Sequence, residues 1–228
     1  MDYILKHENS ALKKYIEHYS DLKKNILFEE RYLLNKGFSI GEIYYLRDNK
    51  ILTYLEKSYY TIKETDINDN CYLIWLFITT IHNSYITSDT ALMRYWLKSP
   101  VLSISYAWKE RKYYKLLKYK IKEEKVPYNG EFVMEEALIN NGRLNESCKK
   151  IQIRIATPEQ ALIDYFFNER DIIRPEEFNV IWFDKEIWQT NVNQKKLLEL
   201  AQKTNSNTTI EMANNFCFWL NNDVIDLE

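Results

Sequence analysis

Residues 26 to 62 constrain the fold more than any other stretch. Ile26, Leu27, Tyr32, Leu33 and Leu34 are apolar at helical spacing, and Gly37, a residue able to take the left-handed conformation that closes a helix, ends the run. Ser39 then supplies a cap for a second helix, in which Ile40, Ile43, Tyr44 and Arg47 keep helical spacing. That spacing predicts Ile40, Ile43 and Leu46 packed inward, with Ser39, Glu42, Tyr45 and Asn49 on the outer face. After Asn49-Lys50 the residues become β-branched and aromatic. Ile51-Leu52-Thr53-Tyr54-Leu55 and Tyr59-Tyr60-Thr61-Ile62, separated by Glu56-Lys57-Ser58, predict two strands joined by a polar turn.

Helix, tight turn, helix and β-ribbon is the order of a winged helix-turn-helix, which lays its second helix in the major groove. On that reading Ser39, Glu42, Tyr45 and Asn49 face the bases, and Glu42 accepts from a cytosine amino group. Arg47 and Lys50 near the helix end and Lys57 at the wing tip would hold phosphates, with Tyr44 and Tyr45 adding hydroxyls. The same motif also serves as a packing or dimerisation unit, in which case these are solvated surface charges. Residues 1 to 60 carry ten Lys or Arg against nine Asp or Glu, so phosphate contacts should be few and affinity per protomer modest.

The formal charge of -2 conceals an uneven distribution. Residues 101 to 130 hold eight cations and three anions, whereas residues 131 to 228 hold ten and seventeen. Lys109, Arg111, Lys112, Lys115, Lys118, Lys120, Lys122 and Lys125, interleaved with Trp108, Tyr113, Tyr114 and Tyr119, have the composition of a nucleic-acid patch or of a solvated face. Tyr113, Leu116, Leu117 and Ile121 suit a helix. Lys118 to Lys122 alternate as a strand does, which would put Lys118, Lys120 and Lys122 on one face.

Elsewhere, residues 7 to 20 predict an amphipathic helix with Ala11, Leu12, Tyr15, Ile16 and Tyr19 on one side and Lys13, Lys14, Glu17 and His18 on the other. The apolar run Cys71 to Ile81 is about half of a membrane span and predicts a core helix. Thr87-Ser88-Asp89 caps a short helix that ends at Ser99-Pro100, so a domain change is expected near residue 98, dividing the chain into 1–98 and 99–228. Short apolar segments from Val101 to Ile155, separated by Pro127, Asn129-Gly130 and Asn141-Gly142, predict a small antiparallel sheet. Ile151 to Ile155 runs straight into Thr157-Pro158-Glu159-Gln160, where a cap, a first-turn proline and a capping-box glutamine agree on a helix start. That helix buries Ala161, Leu162, Tyr165 and Phe166. Asp164 among them requires a donor, for which Arg154 is one candidate, either as a structural ion pair or as a catalytic acid. Three further helices with an acidic exterior follow from Pro175. The fold class expected is α+β: an N-terminal winged helix-turn-helix, then a mixed domain with a small antiparallel sheet and C-terminal helices.

Several function classes find no support. The glycines Gly37, Gly41, Gly130 and Gly142 are dispersed, so no phosphate-binding loop is present in the sequence. His7, His18 and His82, and Cys71, Cys148 and Cys217, lack metal-ligand or disulfide spacing. Neither an enzyme nor a cofactor is expected. The first residues lack the basic start and apolar stretch of a secretory signal, which predicts a cytoplasmic protein with no membrane partner.

Three stretches in order, Ile51 to Tyr60, Thr87 to Leu97, and Ile155-Ala156-Thr157-Pro158-Glu159-Gln160-Ala161-Leu162-Ile163-Asp164, together resemble the AbiEi antitoxins of bacterial abortive-infection systems, over about residues 25 to 200. The resemblance implies an N-terminal winged domain that binds promoter DNA of its own operon. It also implies a C-terminal domain that counters a nucleotidyltransferase toxin encoded beside it. Where that family's wing often carries an Arg-Gly-Val-Tyr type turn, this chain has Lys57-Ser58-Tyr59-Tyr60, without the glycine and one phosphate ligand. The alternative expectation is a non-catalytic protein-interaction module whose winged unit is structural.

Overall fold

A computed structural model of the protein describes residues 2–55, 57–62, 71–95, 103–108, 112–116, 119–126, 130–139, 149–181 and 185–222. The chain forms two compact units, Met1–Leu73 with Leu138–Lys150, and Ile74–Ala137 with Ile151–Glu228. The division therefore falls at Leu73, inside a helix, rather than near residue 98.

In the first unit α1 (Asp2–Lys24) precedes β1 (Phe28–Glu29), α2 (Glu30–Asn35), α3 (Ile40–Asp48), β2 (Leu52–Tyr54) and β3 (Tyr59–Ile62). The three strands form one antiparallel sheet in the order β1-β3-β2, with Phe28 opposite Tyr60 and Leu52 opposite Ile62. Ala11, Leu22, Phe28, Leu33, Phe38, Ile43, Leu46, Leu52, Tyr60 and Ile62 make its core. Gly37 ends α2 at φ 85, and the Phe38 amide donates back to the Leu33 carbonyl at 3.2 Å, the closure expected of a left-handed glycine. Along α1 the buried side is Ala11 and Leu22, flanked by Leu12, Tyr15 and Tyr19. Ile16, expected on that side, is 73% exposed, because five helical steps carry it well round from Ala11. At the hairpin tip Lys57 and Ser58 both sit at positive φ, 48 and 64, so Ser58 adopts the backbone a glycine would take without strain.

The second unit contains most of α4 (Cys71–Ile81), α5 (Ser88–Arg94), and the strands β4 (Ser103–Trp108), β5 (Lys112–Leu116) and β6 (Tyr119–Lys125). These strands pair in the order β4-β6-β5. The β5–β6 pair is antiparallel, but β4–β6 is parallel, with Ile104 opposite Ile121, so the expected antiparallel sheet is corrected to a mixed one. Ile104, Ser105, Tyr106 and Ala107 are all buried, so both faces of β4 are covered, as is usual for parallel-paired strands. The other edge of β4 is taken by residues 85–87. Ile86 bridges antiparallel to Tyr106 and parallel to Ile155, which links β4 to β8 (Lys149–Ala156), itself paired with β7 (Phe132–Ile139).

Helix α6 (Pro158–Asn168) starts at Thr157 with the predicted cap, the hydroxyl accepting from the Gln160 amide at 3.3 Å. It packs on α5, α9 (Gln194–Lys203) and α10 (Asn207–Asn221). From Pro175 onward the described residues form a 3-10 turn (Pro175–Glu177), α7 (Phe178–Ile181), α8 (Lys185–Asn191), α9 and α10, rather than three helices. Phe166, Phe178, Trp188 and Phe216 pack edge to face between them, with Trp219 tilted against Phe178 and Phe216, and aromatic pairs in edge-to-face geometry add stability beyond area burial. The expected breaks at Ser99-Pro100, Pro127, Asn129 and Asn141-Gly142 lie outside the described residues. Among the described residues no helix is long and apolar enough to cross a membrane.

Candidate nucleic-acid interface

Helix α3 is set by its first turn. The Ser39 hydroxyl accepts from the Glu42 amide at 3.3 Å, and the Glu42 carboxylate accepts from the Ser39 amide at 2.7 Å, a reciprocal capping box. The same carboxylate accepts from Ser10 Oγ at 2.6 Å and Lys14 Nζ at 2.8 Å, both on α1. Lys14 Nζ also donates to the Gly37 carbonyl at 2.6 Å. Burial pushes the Glu42 carboxyl up, but Lys14, Ser10 and Ser39 outweigh it and hold the group at about 2.

The outer face of α3 is therefore rotated from the expected one. Glu42 is only 3% exposed, which removes it as a base-contacting residue, because three donors, Ser10, Lys14 and the Ser39 amide, reward its withdrawal. Tyr45 is half-buried against the core, which corrects its assignment to the outer face. Ile40, expected inside, is 50% exposed, because Ile43 and Leu46 define a buried arc that excludes it. Ser39 and Asn49 are exposed, but the Ser39 hydroxyl is the cap, and the Asn49 side chain donates to the Tyr45 carbonyl at 2.9 Å. The surface actually presented is Ile40, Gly41, Tyr44 and Asp48, with Arg47 at its margin.

Arg47 stands over the Tyr44 ring, its guanidinium 4.6 Å from the centroid, and pairs with Asp48 at 2.8 Å. Lys50 and Lys57 are exposed, and among the described residues neither makes an ion pair. Tyr54 on the hairpin is 44% exposed and meets Tyr60 edge to face at 5.4 Å. The unit thus sets one paired and two unpaired cations round an apolar and aromatic helix face.

Of the basic middle, the described residues include the side chains of Lys120 and Lys122. Residues 119–125 are a strand, which settles the ambiguity against a helix. Lys120 is exposed, but Lys122 Nζ lies 2.5 Å from the buried Glu124 carboxylate, so it is a structural cation, which corrects its place in the patch. Lys112 and Lys115 lie on β5, opposite Glu123 and Lys120 respectively. Lys109, Arg111 and Lys118 lie outside the described residues.

Asp164 has no exposed surface. It accepts from Tyr85 Oη at 3.0 Å, Thr87 Oγ1 at 2.5 Å and Gln160 Nε2 at 2.8 Å, while Arg154 donates instead to Asn83 Oδ1 at 2.6 Å. Arg154 is thus not its partner. Burial pushes the Asp164 carboxyl up to about 7 against the pull of Thr87, Gln160 and Tyr85, with the charge of Glu124 adding to the rise. Enclosed on all sides, the group ties α6 to residues 85–87. The Gln160 spacing, one turn before Asp164, was readable as a helical pair, whereas Thr87 read only as a helix cap and nothing in the sequence marks Tyr85.

No protein-family model matches the sequence, and no curated protein does.

Proposed function

We propose that the protein is the antitoxin and DNA-binding transcriptional autoregulator of a bacterial toxin-antitoxin or abortive-infection operon, non-enzymatic, with a winged helix-turn-helix in its first unit and a second unit that counters a nucleotidyltransferase toxin. One observation carries the DNA-binding half. The order α1, β1, α2, α3, β2, β3 with a β1-β3-β2 sheet leaves one face of α3 uncovered beside Arg47, Lys50 and the hairpin tip Lys57. The antitoxin half rests on the three motifs that resemble the AbiEi family. Arg47 and Lys50 follow the recognition face and Lys57 leads the ribbon, where backbone contacts of such units fall.

A second reading, a protein-interaction module whose winged unit is structural, is favoured by the Arg47–Asp48 pair, which offsets the one cation on the helix. A mobility-shift assay on DNA upstream of the gene, at roughly 50 and 200 mM salt, separates the two. Sequence-preferring binding that weakens with salt supports the regulator. Absence of binding at the lower salt overturns it and leaves the interaction module.

A further inference from the structure

The face that α3 presents has the wrong chemistry for hydrogen-bonded base readout and the right chemistry for another kind. The polar residues first expected at the base edges are engaged within the protein: Glu42, buried, to Ser10, Lys14 and the Ser39 amide, and, at the surface, Ser39 Oγ to the Glu42 amide and the Asn49 amide nitrogen to the Tyr45 carbonyl. What remains at the start of the helix, the part that reaches base edges in helix-turn-helix complexes, is Ile40 at 50% exposure. Gly41 beside it has nothing within 4 Å of the position a Cβ would take, so the backbone there is open to close approach. Tyr44, one turn along, is 43% exposed, its ring carrying the Arg47 guanidinium.

Resting on the DNA-binding reading above, we infer that Ile40 and Tyr44 read the 5-methyl groups of thymine in the major groove, which makes A·T-rich duplex DNA the ligand of this surface. The thymine methyl is the one apolar group a base pair displays there, and an exposed isoleucine at the head of the helix matches it. Arg47, Lys50 and Lys57 provide the charge complementarity to a phosphate backbone on either side. A cytosine-selecting contact through Glu42 is excluded by its burial.

The test uses the full chain and two duplexes that are identical except that deoxyuridine replaces thymidine, which deletes the methyl groups and keeps every hydrogen-bonding atom. The A·T-rich thymine duplex is chosen by selection from a random library, and affinities are read by fluorescence anisotropy. The expected result is a loss of about fourfold for each contacted methyl removed. Ile40→Ala should narrow the difference between the two duplexes by about fourfold, the share of the methyl it contacts, and as an exposed position it should leave the fold intact. Equal binding of both duplexes by the unsubstituted protein, or a selected pool rich in G·C, overturns methyl reading while DNA binding stands. Failure to bind any duplex at low salt overturns the DNA-binding reading and this inference with it. In that case a shift from dimer to monomer on Ile40→Ala would assign the face to a second copy of the chain.

Discussion

Lys14 of α1 and Glu42 of α3 form an ion pair of 2.8 Å at the capping box that starts α3. The pair fixes the rotation of α3 on α1 and so decides which residues the helix displays. With the carboxyl held at about 2 instead of its usual 4.5, the folded form holds its charge more tightly than the unfolded chain. The resulting stability is fully present above pH 4.5 and is lost as pH falls towards 2, on the order of 3 kcal/mol. Glu42→Gln should flatten this acid loss and lower stability at neutral pH, since Lys14 then faces an uncharged partner. Urea unfolding of the first unit across that range, followed by tyrosine signal and backbone dichroism, checks it. An unchanged acid limb would contradict the assignment.

Asp164 should act in the opposite sense. Its carboxyl, raised to about 7 by burial, keeps its proton in the folded state where the unfolded chain has released it above about pH 4. Stability of the second unit should therefore fall as pH rises from about 4 to 7 and level off above, by a few kcal/mol. All six tryptophans belong to this unit, so intrinsic tryptophan fluorescence follows it alone. Asp164→Asn should remove the pH slope while costing stability, because an amide keeps only one of the two acceptor oxygens that Gln160 on one side and Tyr85 and Thr87 on the other address.

Gly130 lies against the same network. A Cβ there would fall on the Tyr85 hydroxyl and come within 2.8 Å of Gln160 Cδ. Gly130→Ala should destabilise the second unit by about 1–3 kcal/mol through overpacking, read as a lower midpoint of tryptophan unfolding with the first unit unaffected. A variant as stable as the parent would show that Tyr85 moves aside freely.

Asp48 restrains Arg47, the cation beside the exposed face of α3. On the DNA-binding reading, Asp48→Asn should tighten duplex binding several-fold and steepen its salt dependence by about one released counterion. Anisotropy titrations at three salt concentrations measure both, and weaker binding would place Asp48 in a favourable contact instead.

What the sequence determined by itself are features closed within a few residues. Gly37 ends α2, Ser39 and Thr157 cap α3 and α6, Pro158 enters the first turn, and the residues round Lys57 and Ser58 turn a hairpin. Each depends on hydrogen bonds and backbone preferences reaching three or four positions, so composition and spacing suffice to read them. Tertiary structure decided the rest. The outward face of α3 depends on Ser10, 32 residues before Glu42, and the partners of Asp164 stand 77 and 79 residues away at Thr87 and Tyr85. The parallel pairing of β4 with β6, with both faces of β4 buried, is likewise a product of tertiary packing. Helical periodicity counts apolar positions and assigns charged ones to solvent, but a carboxylate given enough donors from distant segments is more stable inside. Which segments bring those donors is known only once the chain has packed.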